Sequence, residues 1–369
     1  MLLDYTDIAL LRLTGWCRNL PAGMEKRFHS GVFLPAELEL LRGFGLLYPA
    51  ASGAFYRLRP AGYRLLGSLG LECPRDSKYV SDEKTLRGRR EAALIMLTFY
   101  RAGFHIFLDS QTQLKQGSFL PFASLRRNRR QENPFPGLSL VGVGRTSAQV
   151  LACYYPDEGC ICLGNELSAI DKLAAGAEKC LLFCGGSYPE LAGSIQTAAQ
   201  PPSHRNNVSY AGAYRKSPYP VRLLECSDVG AAQLLLSIQP DFRDKLARLA
   251  LGCRYAPPPR DLPGTDALYQ GKYPVIIGVD MDVSRIQKIC QSVRETGYPN
   301  AIVIAFREQL PALARLCVSS RPELFGTSWE TALERFGLSL YEPPPGAYPA
   351  QKGGYLHASA LQANRKTGK

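Results

Sequence analysis

The stretch that most constrains this chain lies between positions 274 and 306, where PVIIGVD, DVSRIQKICQSVRETGYP and NAIVIAF follow closely on one another. The outer segments are continuous apolar runs rich in β-branched residues, the pattern of strands covered on both faces. The middle segment repeats Ile286, Ile289 and Val293 along one side of a helix, and Asp282 stands before it as an N-cap residue. A strand, a crossover helix and a second buried strand require a parallel sheet, so the body of the chain is expected to be α/β (mixed) with a partly parallel sheet.

Around this unit short β-rich runs alternate with helical periodicity. Strands are predicted near 138–143, 149–155, 160–163, 180–183, 221–224, 275–279 and 301–306. Helices are predicted near 82–102, 166–175, 188–198, 230–237, 243–251, 283–296 and 309–317. Stretches rich in Pro, Gly and polar residues break the pattern at 126–137, 198–220, 255–274 and from 342 onward. The expected organisation is a first domain over 1–72, an α/β domain over 82–343 with a subdivision near 198–220, and a flexible tail over 344–369. No internal repeat is visible at a solenoid period.

Charge narrows the partners. The 369 residues include 44 Lys and Arg against 32 Asp and Glu, a formal charge of +12. Residues 1–50 hold five of each sign, residues 51–150 hold 16 basic against 7 acidic, and the remainder holds 23 against 20. A polyanion would therefore meet the segment between Arg57 and Arg130. No secretory signal or membrane-spanning run is visible, which points to a cytoplasmic protein with no membrane partner. Eleven cysteines, an odd number set mostly in apolar stretches, read as reduced thiols, and no C-x-x-C pair suggests a structural zinc. No cofactor is implied.

The first 70 residues carry the most specific pattern. Helices are expected over 4–16 and near 24–29, and a third begins at Pro35 with Leu38, Leu41 and Phe44 on one side. Gly45 closes it, Leu46 to Tyr48 and Phe55 to Leu58 form two strands around a turn at Ser52-Gly53, and Pro60 opens a further helix. This ending, Tyr56-Arg57-Leu58-Arg59-Pro60-Ala61-Gly62-Tyr63-Arg64-Leu65-Leu66, resembles the wing and following helix of winged helix-turn-helix DNA-binding domains. The resemblance implies phosphate contacts from Lys26, Arg27, Arg42, Arg57, Arg59 and Arg64. Glu37 and Glu39 stand near the start of the third helix, where such domains approach DNA, and phosphate would repel them.

Two further basic groups extend the expected interface: Arg87, Arg89 and Arg90 at the start of the long apolar helix, and Arg126, Arg127, Arg129 and Arg130 within five residues. Downstream, the Pro156-Asp157 pair, a turn at Gly159, a strand and Glu166 resemble the layout of restriction-endonuclease-like cores. In those cores a Pro-Asp and an acidic-x-Lys hold a divalent metal. The acidic-x-Lys is missing here, so Asp157 and Glu166 are weak catalytic candidates, the core reads as degenerate, and Asn165 reads as a helix cap. Glu225, Asp280 and Asp282 are weak metal candidates at strand ends. Ser187 with Glu190 reads as a capping box.

A winged helix joined to an α/β body with a Pro-Asp strand is similar to the replication-relaxation family of plasmids and conjugative elements. That resemblance implies a bacterial mobile-element protein that binds double-stranded DNA without catalysis, dimerises, and meets replication or transfer proteins. The alternatives are a metal-dependent nuclease and a protein-interaction scaffold built on a winged-helix fold.

Overall fold

A computed structural model describes residues 3–75, 82–122, 138–157, 159–173, 176–197 and 207–348. The chain is mixed α/β, with twelve α-helices and four sheets among the described residues. It divides into two compact units, residues 1–97 with the segment from Tyr341 onward, and residues 98–340. Among the described residues no helix is long and apolar enough to cross a membrane.

The first unit begins with helix α1 (Tyr5–Cys17), capped reciprocally by Asp4 and Asp7. Strand β1 (Leu20–Pro21) follows, then helix α2 (Pro35–Gly43), strands β2 (Leu47–Ala50) and β3 (Phe55–Leu58), and helix α3 (Pro60–Ser68). The helix expected near 24–29 is a single 3-10 turn, Met24–Lys26, introduced by Gly23 at a φ of 75°. The three strands form an antiparallel sheet in the order β1-β3-β2. Strand β1 escapes sequence reading because two residues carry no periodicity; it exists only because Leu20 and Pro21 pair with Tyr56 and Phe55. Helix α3 packs closely on the hairpin: a Cβ at Gly62 would stand 2.8 Å from the Leu46 carbonyl oxygen.

The tail expected from 344 is corrected in its first residues. Asp4 pairs with Ala347 as a β-bridge, Tyr348 donates its backbone N–H to the Leu3 carbonyl at 2.9 Å, and the Tyr5 and Tyr348 rings meet tilted at 59° with centroids 5.1 Å apart. Backbone pairing of this kind needs no apolar periodicity, which is why the pattern misses it. The rest of that stretch lies outside the described residues.

Helix α4 (Glu83–Arg101) carries the division between the units at Leu97. The second unit then runs through β4 (Ser118–Pro121), β5 (Gly142–Arg145), β6 (Gln149–Tyr154), β7 (Cys160–Ile161), α5 (Leu163–Leu173), β8 (Glu178–Gly185), α6 (Tyr188–Gln196), β9 (Val208–Ser209), α7 (Tyr210–Lys216), β10 (Val221–Glu225) and α8 (Asp228–Ser237). It continues with α9 (Phe242–Leu251), β11 (Tyr255–Ala256), β12 (Ala267–Tyr269), β13 (Tyr273–Ile277), α10 (Val283–Glu295), β14 (Ile302–Phe306), α11 (Leu310–Leu316), β15 (Glu323–Thr327) and α12 (Trp329–Phe336).

These elements build the same topology twice. One sheet has the order β10-β8-β6-β5-β4, the other β11-β12-β13-β14-β15. In each, three strands form an antiparallel meander and the third, fourth and fifth run parallel through helical crossovers. In each half a helix follows the fifth strand from a serine cap, Ser227 or Ser328. The expected absence of a repeat holds only for solenoid periods, since this twofold plan lies in the order of connections.

Alternation along the strands sets the core. Ile276, Val303 and Ala305 face one cluster with Tyr154, Phe183 and Leu223 of the other sheet, while Val275, Ile277, Ile302, Ile304 and Phe306 face a second cluster under α8, α9 and α12. A buried polar knot joins the halves. Gln309 Nε2 donates to the Val279 carbonyl at 2.8 Å and to Gln233 Oε1 at 3.1 Å, and Gln233 Nε2 donates to the Leu223 carbonyl at 2.8 Å. Tyr188 Oη donates to Gln233 Oε1, which satisfies the remaining amide acceptor. Helix α8 lies so close to β10 that a Cβ at Gly230 would meet the Glu225 carbonyl oxygen at 1.8 Å, so only glycine fits there.

Candidate nucleic-acid interface

The basic residues picked from the first unit divide by what they touch. Arg59 and Arg64 are exposed around the start of α3; Arg59 Nε donates to the Leu47 carbonyl at 3.3 Å, and its guanidinium lies 5.9 Å from the Tyr48 ring centroid. Arg75 stacks similarly on Tyr63 at 5.2 Å. Lys26 and Arg90 are exposed and pair with no acidic side chain among the described residues, and Arg27 is half-buried. Stacked on tyrosine faces, Arg59 and Arg75 keep a full charge while part of the side chain is already ordered.

Other members of the expected set are spent within the fold. Arg57 is corrected from phosphate contact to structure: its side chain is buried and its Nε donates to Asn19 Oδ1 at 2.9 Å. Arg89 reaches the same oxygen at 3.3 Å. Arg57 lies within β3, opposite Tyr48 of β2, and is buried, whereas Arg59 follows the strand as the residue before α3 and stands in solvent. Arg42 pairs with Glu39 at 3.1 Å, and Arg87 with Glu91 at 3.7 Å. Arg126, Arg127, Arg129 and Arg130 lie outside the described residues.

Helix α2 shows a surface unlike the residues around it. Leu40 and Phe44 stand one turn apart and, with Leu34 at its start, leave large apolar side chains exposed along this helix. Glu37 is hydrogen-bonded to the buried Asp7 of α1; burial pushes both carboxyls up, and their mutual proximity adds to it at Glu37. This helix offers an apolar stripe beside carboxylates, and its one arginine, Arg42, is paired with Glu39.

The second unit contributes a feature the sequence does not display. An open groove of about 1080 Å³ is bordered by α7, α10 and the turn after α11, and it exposes Arg215, Lys288 and Arg294. Among the described residues none of these three has an ion-pair partner. Arg285, also on the wall, is occupied by Asp266 at 3.2 Å and by the Ile277 carbonyl. The cations come from positions up to 79 residues apart, so no linear charge cluster marks the groove.

The weak catalytic and metal candidates all have structural work. Asp157 Oδ1 accepts from the Gly159 amide at 2.8 Å, holding its own turn. Glu166 is buried and accepts from the Ser139 amide at 2.6 Å and from Tyr154 Oη at 3.2 Å. The following strand, Cys160–Ile161, leaves the main sheet and pairs with β9, so the layout that suggested a degenerate nuclease core does not bring Asp157 and Glu166 to one strand pair. Asn165 lies inside α5, which begins at Leu163, and is corrected as a cap. Ser187 caps α6 at the Glu190 amide, the half of the expected capping box that the structure shows. Glu225 accepts from the Tyr188 amide at 3.4 Å, Asp282 caps α10 through the Arg285 amide at 3.0 Å, and Asp280 binds Arg243. Among the described residues no group of three or more His, Cys, Asp or Glu side chains is placed to hold a metal.

Asp280 is fully buried between arginines. Burial pushes its carboxyl up, and Arg243, Arg222 and Arg285 overcome that and hold it at about 2. Its folded value lies below the unfolded value of about 3.9, so the stabilisation is complete above that value and is lost as pH falls through the folded one. The expected loss between about pH 4 and pH 2 is roughly 2 kcal/mol. Urea unfolding of Asp280→Asn should lack that part of the acid limb, and an unchanged limb would show that other carboxylates carry it.

No family model, curated protein or solved structure matches this chain.

Proposed function

We propose that the first unit is a winged helix-turn-helix module and that the protein binds double-stranded DNA as a non-catalytic accessory of a bacterial mobile element, in plasmid replication, transfer or transcriptional control. The supporting observation is the sheet order β1-β3-β2 with a hairpin whose exit displays Arg59 and Arg64 in solvent. Affinity in this reading comes from phosphate contacts, with the hairpin arginines on one unit and Arg215, Lys288 and Arg294 on the other. A cytoplasmic location, a homodimer on paired half-sites, and contacts with replication or transfer proteins complete the proposal.

Helix α2, with Glu37, Glu39 and its apolar stripe, is poorly suited to base reading, so the module grips the backbone and leaves α2 for protein contact. That same stripe is the observation that favours the second reading, a scaffold that touches only protein. Fluorescence anisotropy on random-sequence duplex across a salt series separates them. DNA binding with a steep inverse dependence on salt supports the proposal, and no binding at low salt leaves the scaffold.

A further inference from the structure

The two halves of the second unit have a cleft in the same place, bounded by the hairpin between the second and third strands, the strand face and the last helix. In the first half it is a cavity of about 370 Å³, and in the second one of about 820 Å³. Strand register matches their walls residue by residue. Leu182 pairs with Arg222 where Ile304 pairs with Phe325, and Leu151 pairs with Cys180 where Val275 pairs with Ile302. Arg222 therefore occupies the position of Phe325, and Gln149 that of Tyr273. Phe325 is 51% exposed, so this architecture folds without a cation there.

The first cleft instead gathers two. Arg222 has a side chain 10% exposed, lies 3.9 Å from Asp280, and donates from Nη1 to Gln149 Oε1 at 3.2 Å. Arg243, 30% exposed, binds the same Asp280 oxygen. Two guanidiniums thus share one carboxylate. Asp282 and Asp266 add negative charge to the cluster, but among the described residues Arg222 donates a hydrogen bond only to Gln149 and Arg243 only to Asp280, which leaves guanidinium N–H groups of both without an acceptor. Burying such donors is unfavourable unless a ligand oxygen completes the set. Thr146, Ser147 and Gln239 add polar groups around it.

We propose that this cleft is a binding site for a small phosphate-bearing molecule whose oxyanion is held between Arg222 and Arg243. Planar, forked donors suit a tetrahedral oxyanion, and the volume falls in the range of small-ligand pockets of about 300–1,000 Å³. The register-matched cleft, with Phe325 and Tyr273 in the corresponding positions, takes no such ligand. This inference does not depend on DNA binding by the first unit.

The test is calorimetric titration of the full chain with inorganic phosphate, against sodium chloride at matched ionic strength, followed by a mononucleotide and a sugar phosphate. Saturable phosphate binding is expected, weakened at least about tenfold in Arg243→Gln. Because that change also exposes Asp280 to an unbalanced charge, Ala148→Trp serves as a second variant: it narrows the cleft mouth at an exposed hairpin position without touching the ion cluster. Tighter binding of an organic phosphate than of free phosphate identifies the carrier, and equal binding identifies free phosphate. Heats equal to those of chloride, equal binding of the unphosphorylated nucleoside and sugar, or wild-type affinity in Ala148→Trp would overturn the assignment.

Discussion

Replacing Asp228 by Ala is expected to remove about 3–5 kcal/mol of stability from the second unit, read as a fall in the urea midpoint. Asp228 begins helix α8 and accepts from Arg101 Nε at 2.9 Å, with both side chains only 3% exposed. Neither charge can be hydrated where it stands, so deletion of the carboxylate leaves a buried guanidinium with its strongest acceptor gone. The loss is a large fraction of the stability of a typical domain, about 5–15 kcal/mol. Arg101→Met together with Asp228→Leu should recover most of it, since an apolar pair of similar volume removes the desolvation penalty from both sides. A double variant no more stable than Asp228→Ala would mean that the pair acts through other contacts of these residues.

Reversing charge at Arg59 and Arg64 has the largest expected effect on binding. If each contacts one phosphate, Arg59→Glu with Arg64→Glu lowers the slope of log affinity against log salt by about 2 and weakens duplex binding by more than about tenfold near physiological salt. Both side chains are exposed, so folding should be unchanged, and a circular dichroism melt checks that. Arg57→Glu is the contrasting change. Because Arg57 is buried on Asn19, its loss should lower the melting temperature of the first unit. If the double reversal leaves affinity and slope intact while Arg215→Glu with Lys288→Glu abolishes binding, the hairpin is not the contact and the groove of the second unit is.

The residues that were legible before the fold was known share a property: their information is local. Continuous apolar runs locate β8, β10, β13 and β14 because both faces of these strands are covered, and the periodicity of Ile286, Ile289 and Val293 locates α10. Ser187 and Asp282 act as caps because an N-cap needs only the next three residues. Strands β11, β12 and β15 were hidden in Pro- and Gly-rich sequence or exposed at a sheet edge, where pairing supplies what composition lacks.

Basic residues were the least legible part. Arg57, Arg59 and Arg64 look equivalent in the sequence, yet the fold buries the first within β3 and leaves the others, beyond the end of that strand, in solvent. Likewise Asp280 reads as a metal candidate beside Asp282, and becomes the counter-charge for Arg222 and Arg243 only because β10 and α9 bring cations from 58 and 37 residues away.

The sequence by itself determined the mixed α/β class, the crossover at 274–306 and the hairpin after α2, since these follow from short-range apolar patterning and turn chemistry. Tertiary structure alone decided the twofold plan of the second unit, the pairing of Arg101 with Asp228, and the choice of which arginines face solvent. Those outcomes depend on strand register and on contacts between distant segments, and no local pattern of side chains encodes which segment will arrive opposite which.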